Sequence, residues 1–142
     1  MDVRDLLKKS KDDLDALFKS LESGPTPDGP AKGTAIIAPG SSFSDELAEL
    51  VSVFAWQGKV FDAKRGVLRN KILPFGLNAI VATVYKDPSW FDQKECITID
   101  YSDTSLVAKW VRDEIRMISP GFYLGKVYWD KKPLIHFALQ FS

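Results

Sequence analysis

The spacing of apolar residues changes once along this chain, near Trp56, and that change limits the fold more than any other feature. Before it, Val3, Leu6, Leu7, Leu14, Leu17, Phe18 and Leu21 recur at steps of three, four and seven. Such steps line one face of a helix. Residues 2–22 therefore read as an amphipathic helix, capped by Asp2 and stopped by Gly24-Pro25. After it, apolar and polar residues alternate in short runs near 56–62, 66–73, 78–86, 94–101, 111–118, 122–129 and 133–141. Turn signals separate them: Ala63-Lys64-Arg65-Gly66, Pro74-Phe75-Gly76, Asp87-Pro88-Ser89, Ser119-Pro120-Gly121 and Asp130-Lys131-Lys132-Pro133. Strands at this spacing predict a mainly β fold, an antiparallel meander that closes into a barrel or a strongly bent sheet, with one or two N-terminal helices.

The segment between these regions is mixed. Residues 23–33, with three prolines and three glycines, read as an extended linker, which divides the chain into 1–33 and a barrel domain over 34–142. Residues 34–38 read as a brief strand and 42–54 as a short helix with Phe43, Leu47, Leu50, Val51 and Phe54 on one face. The stretch 104–118 fits both periods. A helical turn near 104–110 followed by a strand lets Ser119-Pro120-Gly121 form a hairpin.

Composition narrows the function. Nineteen basic and nineteen acidic residues cancel, so the chain lacks the basic footprint of a dedicated nucleic-acid binder. One cysteine, Cys96, and one histidine, His136, exclude an internal disulfide and a Cys/His metal cage. The first twenty residues are charged throughout, and no apolar run approaches the ~20 residues that span a bilayer. A cytoplasmic protein with no membrane span and no cofactor is expected. Phosphate-loop, Gly-x-Ser-x-Gly, HExxH and EF-hand patterns are absent.

Strand alternation sorts side chains into faces. Ile135, Phe137, Leu139 and Phe141 oppose Leu134, His136, Ala138 and Gln140; Tyr123, Gly125, Val127 and Trp129 oppose Phe122, Leu124, Lys126 and Tyr128. Neither face is wholly polar. Two half-apolar faces suit a barrel partly covered outside by helices and enclosing a mixed cavity inside. Arg112, Glu114 and Arg116 share a face. They form either a charge ladder or, facing inward, a bidentate anchor for a ligand carboxylate or phosphate. His136 is either a hydrogen-bonded strand residue or a general acid–base group, with Asp100 or Glu114 as carboxylate partner. Asp100 also suits a turn cap.

Trp56-Gln57-Gly58-Lys59-Val60-Phe61 resembles the W-x-G-K-x-F opening strand of small bacterial lipocalin-like proteins of the GXWXG type. Arg112-Asp113-Glu114-Ile115-Arg116 with Gly121-Phe122-Tyr123-Leu124-Gly125 resembles their later hairpin. The likeness spans roughly residues 54–141, with Phe54 where the pattern has glycine. It implies a calycin-like barrel and a hydrophobic ligand, and no catalytic residue.

These features lead to a binding protein for a hydrophobic or amphipathic small molecule that carries an anionic group. Its expected lining is Trp56, Tyr101, Arg112, Arg116, Tyr123, Trp129 and His136. Two alternatives remain: a cofactor-independent cyclase or isomerase in the same cavity, using His136, Asp100 or Glu114, and an adaptor that offers its N-terminal helix to another protein.

Overall fold

The alternating half of the chain forms strands close to where its period predicts them. A computed structural model describes residues 1–36, 59–72, 77–102 and 111–141. Eight strands appear among them: β1 Gly29–Ile36, β2 Lys59–Asp62, β3 Val67–Ile72, β4 Leu77–Pro88, β5 Glu95–Asp100, β6 Val111–Ser119, β7 Phe122–Trp129 and β8 Lys132–Phe141. Each pairs antiparallel with the next, and β8 returns to β1, with Ala31 opposite Phe141 and Ile36 opposite His136. The sheet is a closed barrel in sequence order, with each described strand paired to a neighbour on both sides.

The lumen holds one apolar cluster fed by every strand. Phe61, Leu68, Val84, Ile97, Ile99, Ile115, Tyr123, Phe137 and Leu139 belong to it, with Ala31, Val127, Trp129 and Phe141 packed at its margin. A second cluster sits on the outer wall, where Ile36, Phe122, Leu124 and Ala138 receive Leu6, Leu14 and Phe18 from the N-terminal helices. Both faces of β7 and β8 are thus apolar because one fills the barrel and the other seats helices.

The N-terminal helix is two helices. Asp2 caps α1, Val3–Leu7, through a reciprocal pair with Asp5: its carboxylate accepts from the Asp5 N–H, and that of Asp5 from the Asp2 N–H. Ser10 then caps α2, Lys11–Ser20, accepting from the Asp13 N–H at 3.1 Å. A serine able to cap a new helix interrupts what the apolar spacing presents as one.

The largest departure from expectation is at 23–33. This stretch is not a free linker, and the proposed division at 33/34 falls inside β1, which starts at Gly29. Pro30 is tolerated because it lies at the start of the strand, where pairing is with β2 alone. Residues 21–28 cross one end of the barrel. The Met117 N–H donates to the Glu22 carbonyl, Gly24 lies against Met117, the Tyr123 hydroxyl donates to the Pro25 carbonyl at 2.8 Å, and the Ala63 N–H donates to Asp28. At Gly24, φ is +71° and an added Cβ would stand 2.7 Å from that of Met117, so the close crossing requires glycine. The expected helix over 42–54, the turn over 104–110 and Trp56 lie outside the described residues.

Candidate functional site

Two places gather polar groups: the lumen near the start of β6, and the outer wall beneath α2 and the β4–β5 turn. Alternation along β6 separates them. Val111, Asp113, Ile115 and Met117 face inward, while Arg112, Glu114 and Arg116 face outward.

The outward row is engaged with neighbouring protein groups. Arg116, fully buried, donates to both Asp92 carboxylate oxygens at 2.7 and 2.6 Å. It also donates to the carbonyls of Phe18, Lys94 and Glu95, and lies over the Phe18 ring. Its cation therefore sits at the C-terminus of α2, where helix carbonyls lack partners. The same bond holds the Asp92 carboxyl below its usual range. Glu114, equally buried, accepts from the Ser89 hydroxyl, the Trp90 N–H and Arg112. Arg112 further donates to Asp87 and the Pro88 carbonyl and stacks on Trp90. These bonds fasten the β4–β5 turn to the barrel.

His136 points the same way. Its Nε2 meets Asp15 of α2 at 2.8 Å, and the buried Lys126 ammonium bonds the same carboxylate oxygen. Burial, reinforced by Lys126, pushes the His136 pKa down. Burial also works to raise the Asp15 pKa, but the Lys126 and His136 contacts outweigh it and hold the carboxyl low. Asp100 accepts from the Tyr85 hydroxyl at 2.7 Å and from the Ser102 N–H at 2.9 Å, the latter capping the turn. Desolvation and that carboxylate push the Tyr85 phenol up to about 12.

The expected inward anchors therefore face outward. Arg112, Arg116 and His136 do not enter the lumen, and the three acid–base candidates His136, Asp100 and Glu114 serve packing contacts on the outer wall. The residues do make a charge network, in which Arg112 pairs with Glu114 of its own strand while Arg116 and His136 meet the carboxylates of Asp92 and Asp15 from other segments. Cys96 is buried beside this network, and burial with the Glu114 charge pushes its thiol up to about 11, away from nucleophilic use.

The lumen keeps Tyr101, Tyr123 and Trp129 of the expected lining. Tyr123, Phe61 and Phe141 make edge-to-face contacts, with Phe141 centroids 5.2 Å from Phe61 and 5.6 Å from Tyr123. These rings lie at the end crossed by residues 21–28. Toward the other end, the fully buried Tyr101 hydroxyl donates to Asp113 Oδ2 at 3.1 Å. Desolvation, then the Asp113 charge, push the Tyr101 pKa well above 10, so the phenol keeps its proton. Asp113 is only 4% exposed, opposite Ile99 on β5 and Val127 on β7. Sequence reasoning passed over this residue as the neighbour of Glu114. The available signal was one acidic residue at the inward step of Val111, Ile115 and Met117.

No protein-family model and no curated protein matches the sequence. In fold the chain is similar to a protein from Thermomonospora curvata known from a crystal structure, with a TM-score of 0.62, 17% identity, and coverage of 95% of this chain and 89% of that one. At that identity the likeness shows a shared barrel architecture. Among the described residues, no helix is long and apolar enough to cross a membrane.

Proposed function

We propose that this protein binds a hydrophobic or amphipathic small molecule inside its barrel, and that it is kin to the lipocalin-like barrels its β2 and β6–β7 segments resemble. The observation that carries the reading is the lumen itself. It is apolar and aromatic, is crossed at one end by residues 21–28, and holds a buried Tyr101–Asp113 pair among hydrocarbon side chains. An apolar lining with a few placed polar groups is what small-molecule sites present. A cytoplasmic location belongs to this proposal and rests on the lone buried cysteine.

The cyclase or isomerase reading loses its named acid–base groups to the outer wall. The adaptor reading loses its free helix, since Leu14 and Phe18 are buried on the barrel. Native mass spectrometry of the protein purified from its own host tests the proposal. A retained small molecule that leaves on denaturation supports it. An empty protein that also fails to bind apolar fluorescent probes overturns it.

A further inference from the structure

We propose that the outer face of β4 and the turn after it, centred on Tyr85 and Trp90, docks a partner protein through a lysine or arginine side chain of that partner. The inference goes beyond the lumen reading and does not depend on it. Five large apolar residues are exposed among the described residues, and three of them, Tyr85, Trp90 and Phe91, belong to this strand and turn. Phe91 turns away, against Phe18 and the Lys126 ammonium. Tyr85 and Trp90 keep 39% and 42% of their surface in solvent. Arg112 joins them. Its guanidinium lies 4.4 Å from the Trp90 ring centroid and bonds Asp87, and its position on β6 is opposite Asp100, which accepts from the Tyr85 hydroxyl.

The turn holds the Trp90 ring in place. Glu114 accepts from the Ser89 hydroxyl and the Trp90 N–H, the Ser89 oxygen accepts from the Phe91 N–H, and the ring meets Tyr128 edge to face. A ring already fixed loses little freedom on binding, and Trp, Tyr and Arg are the residues that most often anchor interfaces. Charge names the partner. The single Arg112 charge is shared by Glu114 and Asp87, while the donors to Asp100 among the described residues are neutral, the Tyr85 hydroxyl and the Ser102 N–H. Three of these four charged groups are carboxylates. Lys86 and Arg65 pair elsewhere, with Glu95 and Asp62. An added cation meets carboxylates beside the exposed parts of two rings, an attractive set for a guanidinium or ammonium group. The face is the outside of a barrel wall and does not enclose a small molecule as a pocket does. A protein brings the rest of the contact surface itself.

An NMR titration of the full chain tests this with acetyl-Leu-Arg-Gly-Arg-Leu amide, its counterpart with glutamate for arginine, and N-acetylarginine amide, each to about millimolar concentration. The basic peptide should shift the Trp90 indole N–H and the backbone amides around Tyr85. It should bind about tenfold more tightly than the acidic peptide and about threefold more tightly than the single arginine. Trp90→Ala and Asp100→Asn should each weaken it about two- to fivefold. The second variant keeps the ring and decides where the first does not fold. Equal binding of the acidic peptide, shifts that fall elsewhere, variants that bind like the parent, or no shift at all overturns the proposal. So does an arginine amide that binds as well as the peptide, which makes the occupant a small cation. A shift of the same residues with protein concentration alone makes the occupant a second copy and overturns it too.

Discussion

A buried charge is tolerable only when its partners are complete, and Arg116 shows what completeness requires here. Its five donors reach Asp92 twice and three carbonyls, from segments as far apart as Phe18 and Glu95. Truncation leaves those acceptors without their cation, and breaking a buried pair this way costs about 3–5 kcal/mol. Arg116→Ala should therefore lower the melting temperature by roughly 10 °C, at ~2–4 °C per kcal/mol for a chain near this length. Its affinity for an apolar probe, measured where the variant is still folded, should stay within about threefold of the parent. A larger loss of probe binding than of stability would return the binding site to the outer wall. That wall was the hardest part to read from sequence. Arg112, Glu114 and Arg116 are visible as one face of β6, but alternation does not say which face is inside. Apart from the Arg112–Glu114 pair, their partners come from β4, the β4–β5 turn, the start of β5 and α2, and no local pattern announces a contact such as Arg116 to Phe18, about a hundred residues apart.

The strands were legible because each obeys a period of two between turn residues, and β7 runs over the expected 122–129. β1 was legible only at its end, where 34–38 reads as a brief strand; Gly29, Pro30 and Gly33 resemble a linker and become strand only by closing the barrel between β2 and β8. The docking of α2 was legible in part. Its apolar stripe announced a buried face, but not the Asp15 contact to Lys126 and His136. Burial of His136 beside Lys126 makes the docked state sensitive to acid, although the Asp15 contact itself favours the charged imidazole. Burial, then Lys126, lowers the His136 pKa in the fold, so the unfolded chain, with a histidine pKa of about 6.5, binds the proton more readily. Stability is then full above about pH 6.5 and declines as pH falls below it, by at most ~1.4 kcal/mol per unit for one group. Asp15, held low in the fold, adds a second loss of the same sign below about pH 4. Because His136 is the only histidine, urea titrations at pH 7.5 and 5.5 isolate its share. The parent should lose stability between them, and His136→Gln should lose distinctly less. Equal losses would show that the latch does not sense pH.

At the scale of the whole molecule, the barrel is a wall packed on both faces, with helices outside and an apolar cluster inside, and Gly125 marks a close approach on the inner side. It lies on β7 opposite Phe137 of β8, and a Cβ there would stand 2.2 Å from the tip of the Phe137 ring. The ring lies over the glycine on the lumen side, in space that a larger residue would claim. Gly125→Ala must swing the ring toward the middle of the lumen, and strain of this overpacking kind costs about 1–3 kcal/mol. Two effects should then appear together in thermal unfolding. Without ligand the variant melts several degrees below the parent, at ~2–4 °C per kcal/mol. With an apolar probe at about one hundred times its dissociation constant, the parent gains ~2.7 kcal/mol from binding the folded state alone. On the proposed lumen site the variant should gain markedly less, because the displaced ring takes space inside the barrel. Arg112→Ala offers the contrast, since Arg112 packs on Trp90 outside the wall. It should melt lower yet keep the full gain from the probe. If Gly125→Ala keeps the full gain and Arg112→Ala loses it, the probe binds outside the barrel, and the lumen is only a core.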